Sequence, residues 1–185
     1  MGETQFTTRL GNVVVRWIAG DGPVRLSEIR VGAVDHGPLF NQPSPVSIME
    51  VVGWLKRYFD YGDPLTEVPW ELLDQSTWTA FQRGVYRAAS EIPHGETRTY
   101  GWIARRIGQF GAMRAVGQAL RHNRLPILIP CHRVVSTDSL GGFMGEKDPA
   151  HPQLQLKGAL LALEEGYRQP LFPFLPQTVQ VGACT

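Results

Sequence analysis

The pattern of apolar and polar residues in the first part of the chain predicts a β-hairpin followed by a helix. Residues 13–18 are β-branched and aromatic, residues 20–23 (Gly-Asp-Gly-Pro) are a strong turn signal, and residues 24–31 alternate in part. This combination is typical of a hairpin. A loop over 32–45 then leads to a helix predicted over about 46–60. The apolar face of that helix carries Ile48, Val51, Val52, Leu55 and Phe59.

The next helix is predicted after a linker over residues 63–74. Ser76 or Thr77 can cap its first turn, and Pro93 ends it. Its apolar residues recur at helical spacing. They are Phe81, Val85, Ala88, Ala89 and Ile92.

Two short helices follow, joined by a turn over residues 108–111. Thr99 is expected to cap the first, and Gly108 to end it. The second is expected to bury Ala112, Ala115, Val116, Ala119 and Leu120. Two short helices around a glycine-containing turn are typical of a helix-turn-helix, and an ordinary αα-hairpin fits the pattern equally well.

The second short helix is built almost wholly from small residues. Its exposed face is predicted to show Arg114, Gly117, Gln118 and Arg121. Gly117 costs about 1 kcal/mol relative to alanine inside a helix, so a compensating contact is expected. Close approach of a slim helix to another surface, such as the minor groove of DNA, would supply it.

The last helix is predicted from Pro152 to about Glu165, closed by Gly166, and it is apolar enough to be largely buried. Together the patterns predict an α/β N-terminal domain over 1–73 and a mainly α-helical C-terminal domain with a helix-turn-helix over 74–169. A tail over 170–185 has no charged side chain. The first domain contains no group of residues that indicates chemistry and is interpreted as a scaffold.

Charge changes this picture more than composition does. The chain has 185 residues and a formal net charge of +1. Residues 78–133, however, hold nine basic and two acidic side chains, and all nine basic ones are arginines. Arginine suits bidentate contacts with phosphate, so the block raises the expectation of a polyanionic partner. A solvated helix face would also explain an arginine-rich stretch.

No apolar run approaches the length of a membrane span, and the N-terminus lacks a secretory pattern, which predicts a cytoplasmic or nucleoid-associated protein. The two cysteines, Cys131 and Cys184, do not form a disulfide framework, and no cluster has zinc-ligand spacing. We therefore expect no metal and no cofactor.

Candidate chemistry is concentrated where Cys131 precedes His132, because an adjacent imidazole is the usual means of making a reactive thiolate near neutral pH. Glu164 and Glu165 are placed in the last turn of the final helix, where the helix dipole disfavours a carboxylate. One of them could orient His132, or both could be solvated. Asn123 could cap its helix or bond the backbone that carries Cys131. A buried, inert cysteine remains an explanation of the pair taken alone.

The chain resembles the O6-alkylguanine-DNA alkyltransferases, densely from about residue 74 to 166 and weakly before that. The matching stretches are residues 81–82 (Phe-Gln), 92–97 (Ile-Pro-His-Gly-Glu-Thr), 99–100 (Thr-Tyr), 114–117 (Arg-Ala-Val-Gly), Asn123 and 127–135 (Ile-Leu-Ile-Pro-Cys-His-Arg-Val-Val).

The resemblance implies a role for each residue of the expected reaction. Cys131 would take the alkyl group irreversibly in one displacement, and His132 would deprotonate it through a water. Glu164, seven residues after Lys157 as in the family, would be the carboxylate behind His132, and Asn123 would brace the site.

It also implies contacts with a flipped nucleotide in double-stranded DNA. Arg114 would enter the duplex and Tyr100 would rotate the phosphate and donate to guanine. The backbone at Cys131 and Val134 would read the exocyclic amine, and the Met144 amide would face O6. Phe143 and Lys157 complete the expected substrate site. We expect further DNA contacts from Thr99, Ala115, Gly117, Gln118, Arg121 and Thr137.

Three departures from the family pattern are visible. Phe143 stands where a tyrosine is usual, the loop over 146–152 is longer, and Arg124 replaces the proline that commonly follows the asparagine. None removes the expected nucleophile.

The expected activity is single-turnover transfer of an alkyl group from O6 of guanine, and from O4 of thymine as an open extension, by a monomer. Two other classes stay open. A lesion-binding module would bind without chemistry and would not need Cys131, and a cysteine hydrolase would use Cys131, His132 and Glu164 on small esters or amides.

Overall fold

The computed structural model describes residues 1–33, 44–65, 67–144, 148 and 150–168. The tail with Cys184 and most of the predicted loop over 32–45 lie outside the described residues, as do residues 146, 147 and 149 of the long loop over 146–152.

A three-stranded antiparallel sheet opens the chain, in the order β1 (Gly2–Thr8), β2 (Gly11–Ile18) and β3 (Arg25–Ala33). The predicted hairpin is confirmed as β2 and β3. Strand β1 was not predicted, because its residues are mostly polar and its order comes from contacts with β2. A Cβ on Gly2 would lie 2.3 Å from the indole of Trp17, so the ring packs directly on the backbone of β1.

Helix α1 (Val46–Tyr61) packs against this sheet and confirms the predicted helix. Gly62 ends it with φ 74° and donates its N–H to the Tyr58 carbonyl at 2.9 Å. Helices commonly end at a residue in this left-handed conformation, and that residue is usually glycine. The buried face comprises Ile48, Val51, Val52, Leu55, Tyr58 and Phe59.

The segment predicted as a linker is packed. It forms a 3-10 helix (Trp70–Leu72), and the Asp74 N–H donates to the Leu26 carbonyl at 2.8 Å. On the same strand the Ile29 N–H donates to the Arg124 carbonyl at 2.8 Å. Strand β3 therefore ties the N-terminal sheet to the residue that follows Asn123.

Four further helices make up the second half: α2 (Ala80–Ser90), α3 (Tyr100–Arg106), α4 (Met113–Arg121) and α5 (Pro152–Arg168). Thr99 caps α3 as predicted, accepting from the Trp102 N–H at 3.2 Å. The cap predicted for α2 was wrong. Thr79 caps it in a reciprocal box with Gln82, the arrangement that a threonine followed three residues later by glutamine allows.

Two other details differ from prediction. Ala115 is exposed rather than buried, because α4 turns it away from the core that holds Val116 and Ala119. Helix α5 continues through Gly166 to Arg168, so Glu164 precedes the last turn instead of lying in it. The helix dipole therefore disfavours its carboxylate less than predicted.

A short parallel pair that periodicity did not predict links the halves of the C-terminal region. Strand β4 (Arg98–Thr99) pairs with β5 (Val134–Val135). It sets the start of α3 beside the segment that carries Cys131. No helix among the described residues has both the length and the apolar character needed to cross a membrane.

Candidate active site

Cys131 begins a 3-10 turn (Cys131–Arg133) that leads into β5. The segment before it is held in an unusual conformation, because buried Ile127 has φ 74°, which is strained for a β-branched residue. Asn123 braces this segment. Its Nδ2 donates to the Ile129 carbonyl at 2.9 Å and to Cys131 Sγ at 3.2 Å, and its Oδ1 accepts from the Leu125 N–H at 3.0 Å.

His132 and Glu164 meet behind Cys131, with Nε2 to Oε1 at 2.7 Å and no exposure of either side chain. Arg133 forks onto the same carboxylate, with Nε to Oε2 and Nη2 to Oε1 both at 2.9 Å. The Gly95 N–H donates to Oε2 at 2.9 Å. Glu165, its neighbour in sequence, is exposed.

The protonation states follow from these bonds. Burial opposes ionisation of Glu164, but the bonds and charges of His132 and Arg133 outweigh it and hold the pKa of this carboxyl well below its usual range. An ionised Glu164 accepts only, so Nε2 of His132 carries the proton and Nδ1 carries the lone pair. Nδ1 has no hydrogen-bond partner among the described residues.

The thiol is protonated at rest. Burial raises the pKa of Cys131, although the Asn123 bond and the charge of Lys157 work against it. Burial likewise lowers the pKa of His132, against the pull of Glu164. A neutral imidazole therefore stands beside a neutral thiol, the arrangement in which a base can take the thiol proton during reaction.

Cys131 lies at the floor of an open cavity of about 640 Å³ and is 6% exposed. Of the residues predicted for the substrate and DNA contacts, most line this cavity: Thr99, Tyr100, Arg114, Gly117, Gln118, Arg121, Thr137, Phe143 and Met144. Three of the predicted contact residues do not line the cavity: Ala115, Val134 and Lys157. The predicted partners of Cys131 are buried and do not line it either: His132, Glu164 and Asn123.

Lys157 supports the wall of the cavity from behind. Its buried Nζ donates to the Val134 carbonyl at 2.6 Å, to Leu140 at 2.5 Å and to Gly142 at 3.2 Å. Burial lowers its pKa to about 8. The lysine thereby holds the loop that carries Phe143 over the cavity.

Tyr100 closes the same wall, with its hydroxyl donating to the Gly142 carbonyl at 3.0 Å. Gly141 permits this close approach: it has φ 69°, and a Cβ there would lie 3.0 Å from Tyr100 Cε2. Burial raises the pKa of Tyr100, with a further rise from Cys131, so its hydroxyl remains a donor.

Two residues of this site were not predicted from the sequence. Arg133 belongs to the arginine-rich block that predicted phosphate contacts, yet it is only 7% exposed. Its guanidinium instead donates to Glu164 and to the Ile92 carbonyl. Its position next to the Cys-His pair was the available signal. Tyr58, from the segment interpreted as scaffold, donates its hydroxyl to Glu164 Oε1 at 2.9 Å. No sequence signal distinguishes it from an ordinary core tyrosine.

Within the described parts of the chain, no three His, Cys, Asp or Glu side chains are grouped so as to hold a metal ion.

The chain is similar to a set of DNA-repair proteins. Residues 80–166 match the family described as 6-O-methylguanine DNA methyltransferase, DNA binding domain. The methylated-DNA–protein-cysteine methyltransferase of Mycobacterium bovis is 39% identical over 151 residues, which cover 80% of this chain and 84% of the relative. That of Mycolicibacterium paratuberculosis is 43% identical over 150 residues, with the same coverage.

Solved structures agree with these relatives. A variant of the Mycobacterium tuberculosis O6-methylguanine methyltransferase superimposes with a TM-score of 0.69 at 32% identity, covering 93% of this chain and 96% of that one. Mycobacterium tuberculosis OGT in complex with DNA gives a TM-score of 0.62 at 32% identity, with 89% and 93% covered.

Proposed function

The chain belongs to the methylated-DNA–protein-cysteine methyltransferase family, and we propose that it repairs double-stranded DNA by moving an alkyl group from O6 of guanine to Sγ of Cys131. The observation that carries the assignment to this cysteine is its position at the floor of the cavity, next to a buried neutral His132 whose Nε2–H is held by Glu164.

The reaction is a single displacement whose atoms balance without a cofactor. His132 Nδ1 takes the thiol proton through a water, the Sγ–carbon bond forms, and the carbon–O6 bond of the base breaks. The departing guanine takes one proton, which Tyr100 or a water bonded to it supplies. His132 then releases the thiol proton to solvent, and solvent reprotonates Tyr100. The product thioether has no leaving group that would restore the thiol, so each molecule acts once.

The base must leave the helix to react. Cys131 is only 6% exposed on the cavity floor, so its sulfur cannot reach an atom inside a stacked duplex. The nucleotide is therefore rotated out, at a cost of a few kcal/mol. We assign α3 and α4 to a helix-turn-helix that enters the minor groove, with Arg114 filling the space that the flipped base leaves. The DNA backbone around the flipped nucleotide is contacted by six further residues: Thr99, Ala115, Gly117, Gln118, Arg121 and Thr137.

Recognition of the flipped base falls to the cavity wall. Phe143 packs on it, and the amide of Met144 faces O6. The exocyclic amine is read by the backbone at Cys131, which lines the cavity; Val134 was also predicted for this contact, but it does not line the cavity and its carbonyl accepts from Lys157. Lys157 acts on substrate through the loop it supports. Thymine alkylated at O4 presents an equivalent carbon–oxygen bond, and we include it as a second substrate. The protein works as a monomer on chromosomal DNA in the cytoplasm or nucleoid.

A mass measurement tests the proposal directly. The protein is incubated with duplex carrying one O6-methylguanine or one O4-methylthymine and digested with trypsin. Cleavage after Arg124 and Arg133 isolates Cys131 in the peptide 125–133, whereas Cys184 falls in the peptide that follows Arg168. We expect one methyl group on peptide 125–133 and none on the other. Lesion removal by Cys131→Ala, or methyl elsewhere, would refute it.

A further inference from the structure

We propose that Tyr58, which the N-terminal segment contributes from α1, is a positioning residue of the alkyl-transfer site: its hydroxyl holds the Glu164 oxygen that faces His132 and tunes the basicity of His132. The inference rests on the proposed function for its role in the reaction, and on the geometry alone for its effect on His132.

The hydroxyl of Tyr58 bonds to this carboxylate, and its ring packs beside the histidine that the carboxylate binds. Its hydroxyl donates to Glu164 Oε1 at 2.9 Å and lies 3.4 Å from His132 Nε2. The side chain is wholly buried, and its ring packs edge-on against Phe59, with centroids 5.2 Å apart, and against the ring of His132 at 6.5 Å. One phenol therefore reaches both His132 and Glu164 from an element more than 70 residues away in sequence.

Packing alone does not account for a tyrosine here. Phenylalanine would fill the same apolar position of α1 without a polar atom to satisfy. Glu164 also has donors enough to stay ionised, from Arg133 and from the Gly95 N–H. The hydroxyl is aimed at Oε1, the oxygen that His132 uses. Burial and the charge of Glu164 raise the pKa of Tyr58 well above its ordinary value of 10.0, so it donates throughout the working range.

The direction of the effect follows from sharing of charge. A donor on Oε1 draws carboxylate charge away from the bond to His132, so its loss leaves more charge to stabilise the imidazolium. The other charged or titratable groups facing this pair stay in place: Arg133 on the same turn, His94 with Nδ1 3.8 Å from Oε1, Lys157 from α5, and the thiol of Cys131. Removing the hydroxyl should therefore raise the pH at which His132 titrates.

The test compares Tyr58→Phe with wild type in two measurements. The first is the single-turnover rate of methyl transfer to Cys131 across pH. We expect the same end point of one methyl per protein and an acid limb whose midpoint lies higher by about one pH unit, with rates that converge at alkaline pH. The second is the NMR titration of the His132 imidazole without DNA, where the same shift is expected.

Tyr86→Phe is the matched control. It removes a second buried tyrosine hydroxyl, which donates to the Ala119 carbonyl at 3.0 Å and has no bond to Glu164. Thermal unfolding of both variants separates lost stability from altered chemistry.

A rate that falls equally at every pH would indicate a structural role and would overturn the inference, as would an unshifted His132 titration. If wild type transfers no methyl group, the proposed function fails, and the NMR titration still decides whether Tyr58 tunes His132.

Discussion

Nε2 of His132 lies 2.7 Å from Oε1 of Glu164, across 32 residues of sequence, and neither side chain is exposed to solvent. The pair fixes the imidazole proton on Nε2 and leaves Nδ1 as the base. Around it, Arg133, Tyr58 and the Gly95 N–H saturate the carboxylate. The site is thus a buried network in which each partner depends on the others.

Glu164→Gln should destabilise the protein and flatten its response to acid. Unfolding free energy at neutral pH should fall by about 3–5 kcal/mol, because the charge of buried Arg133 loses its partner. In wild type the folded pKa of Glu164 lies below its ordinary value of 4.5, so the unfolded state binds the proton first. The stability that ionised Glu164 contributes is therefore fully present above pH 4.5, and it is lost as pH falls through the folded pKa of this carboxyl. Urea unfolding at several acidic pH values measures both effects.

Glu165→Gln is the control for that experiment, since it makes the same change on the same helix at an exposed position. We expect near-wild-type stability and an unchanged acid response. Equal losses from the two substitutions would contradict the assignment of Glu164 to the network.

Asn123→Ala should make Cys131 less acidic. The Nδ2 bond lowers the pKa of the thiol against the effect of burial, so its removal moves thiolate formation to higher pH. The rate of carboxamidomethylation of peptide 125–133 across pH measures this, with the Cys184 peptide as internal reference. Stability should fall by about 1–3 kcal/mol, because the Leu125 N–H and the Ile129 carbonyl lose their buried partner. An unchanged reactivity profile would argue against the bracing role.

Arg114→Ala should slow repair of duplex DNA by about 10- to 100-fold while leaving reaction with the free O6-methylguanine base unchanged. The reason is that only the duplex demands compensation for unstacking. Single-turnover rates on the two substrates measure the difference. Arg83→Ala removes the same charge from an exposed position of α2 that does not line the cavity, and it should affect neither substrate strongly. Equal slowing on free base would refute the role.

Gly117→Ala should stabilise the protein and weaken its binding to DNA. A Cβ at this position would meet only Tyr100 Cε1, at 3.8 Å, so the fold has room for it, and the helix should gain about 0.5–1 kcal/mol. The methyl would project toward the proposed groove contact. Thermal unfolding and duplex titration at fixed salt measure the two effects.

Gly53→Ala offers the parallel change in α1, where a Cβ has open space. It should stabilise similarly without altering DNA affinity. If Gly117→Ala binds duplex as tightly as Gly53→Ala does, α4 does not approach DNA as closely as proposed.

Helix α1, the hairpin and the cap at Thr99 could be predicted from sequence because each depends on residues that are close together in the chain. Strand β1 could not, because its order comes from backbone pairing with β2 and from the Trp17 ring lying on Gly2. The cap of α2 was misplaced by two or three residues for a smaller reason. Ser76, Thr77 and Thr79 are all suitable caps, and only the bond with Gln82 selects one.

Sequence by itself determined the nucleophile and base as neighbours in the chain, the arginine-rich block and the family resemblance, because all three are local or linear properties. The resemblance also named Glu164 as the carboxylate behind His132, and tertiary structure supplies that contact. Tertiary structure alone decided that the guanidinium of Arg133 binds this carboxylate inside the protein and that Tyr58 of the N-terminal segment joins the site. These are contacts between elements distant in sequence. A buried carboxylate attracts whichever donors the packing of α1, α5 and the Cys131 turn brings within hydrogen-bond distance, and periodicity carries no record of that packing.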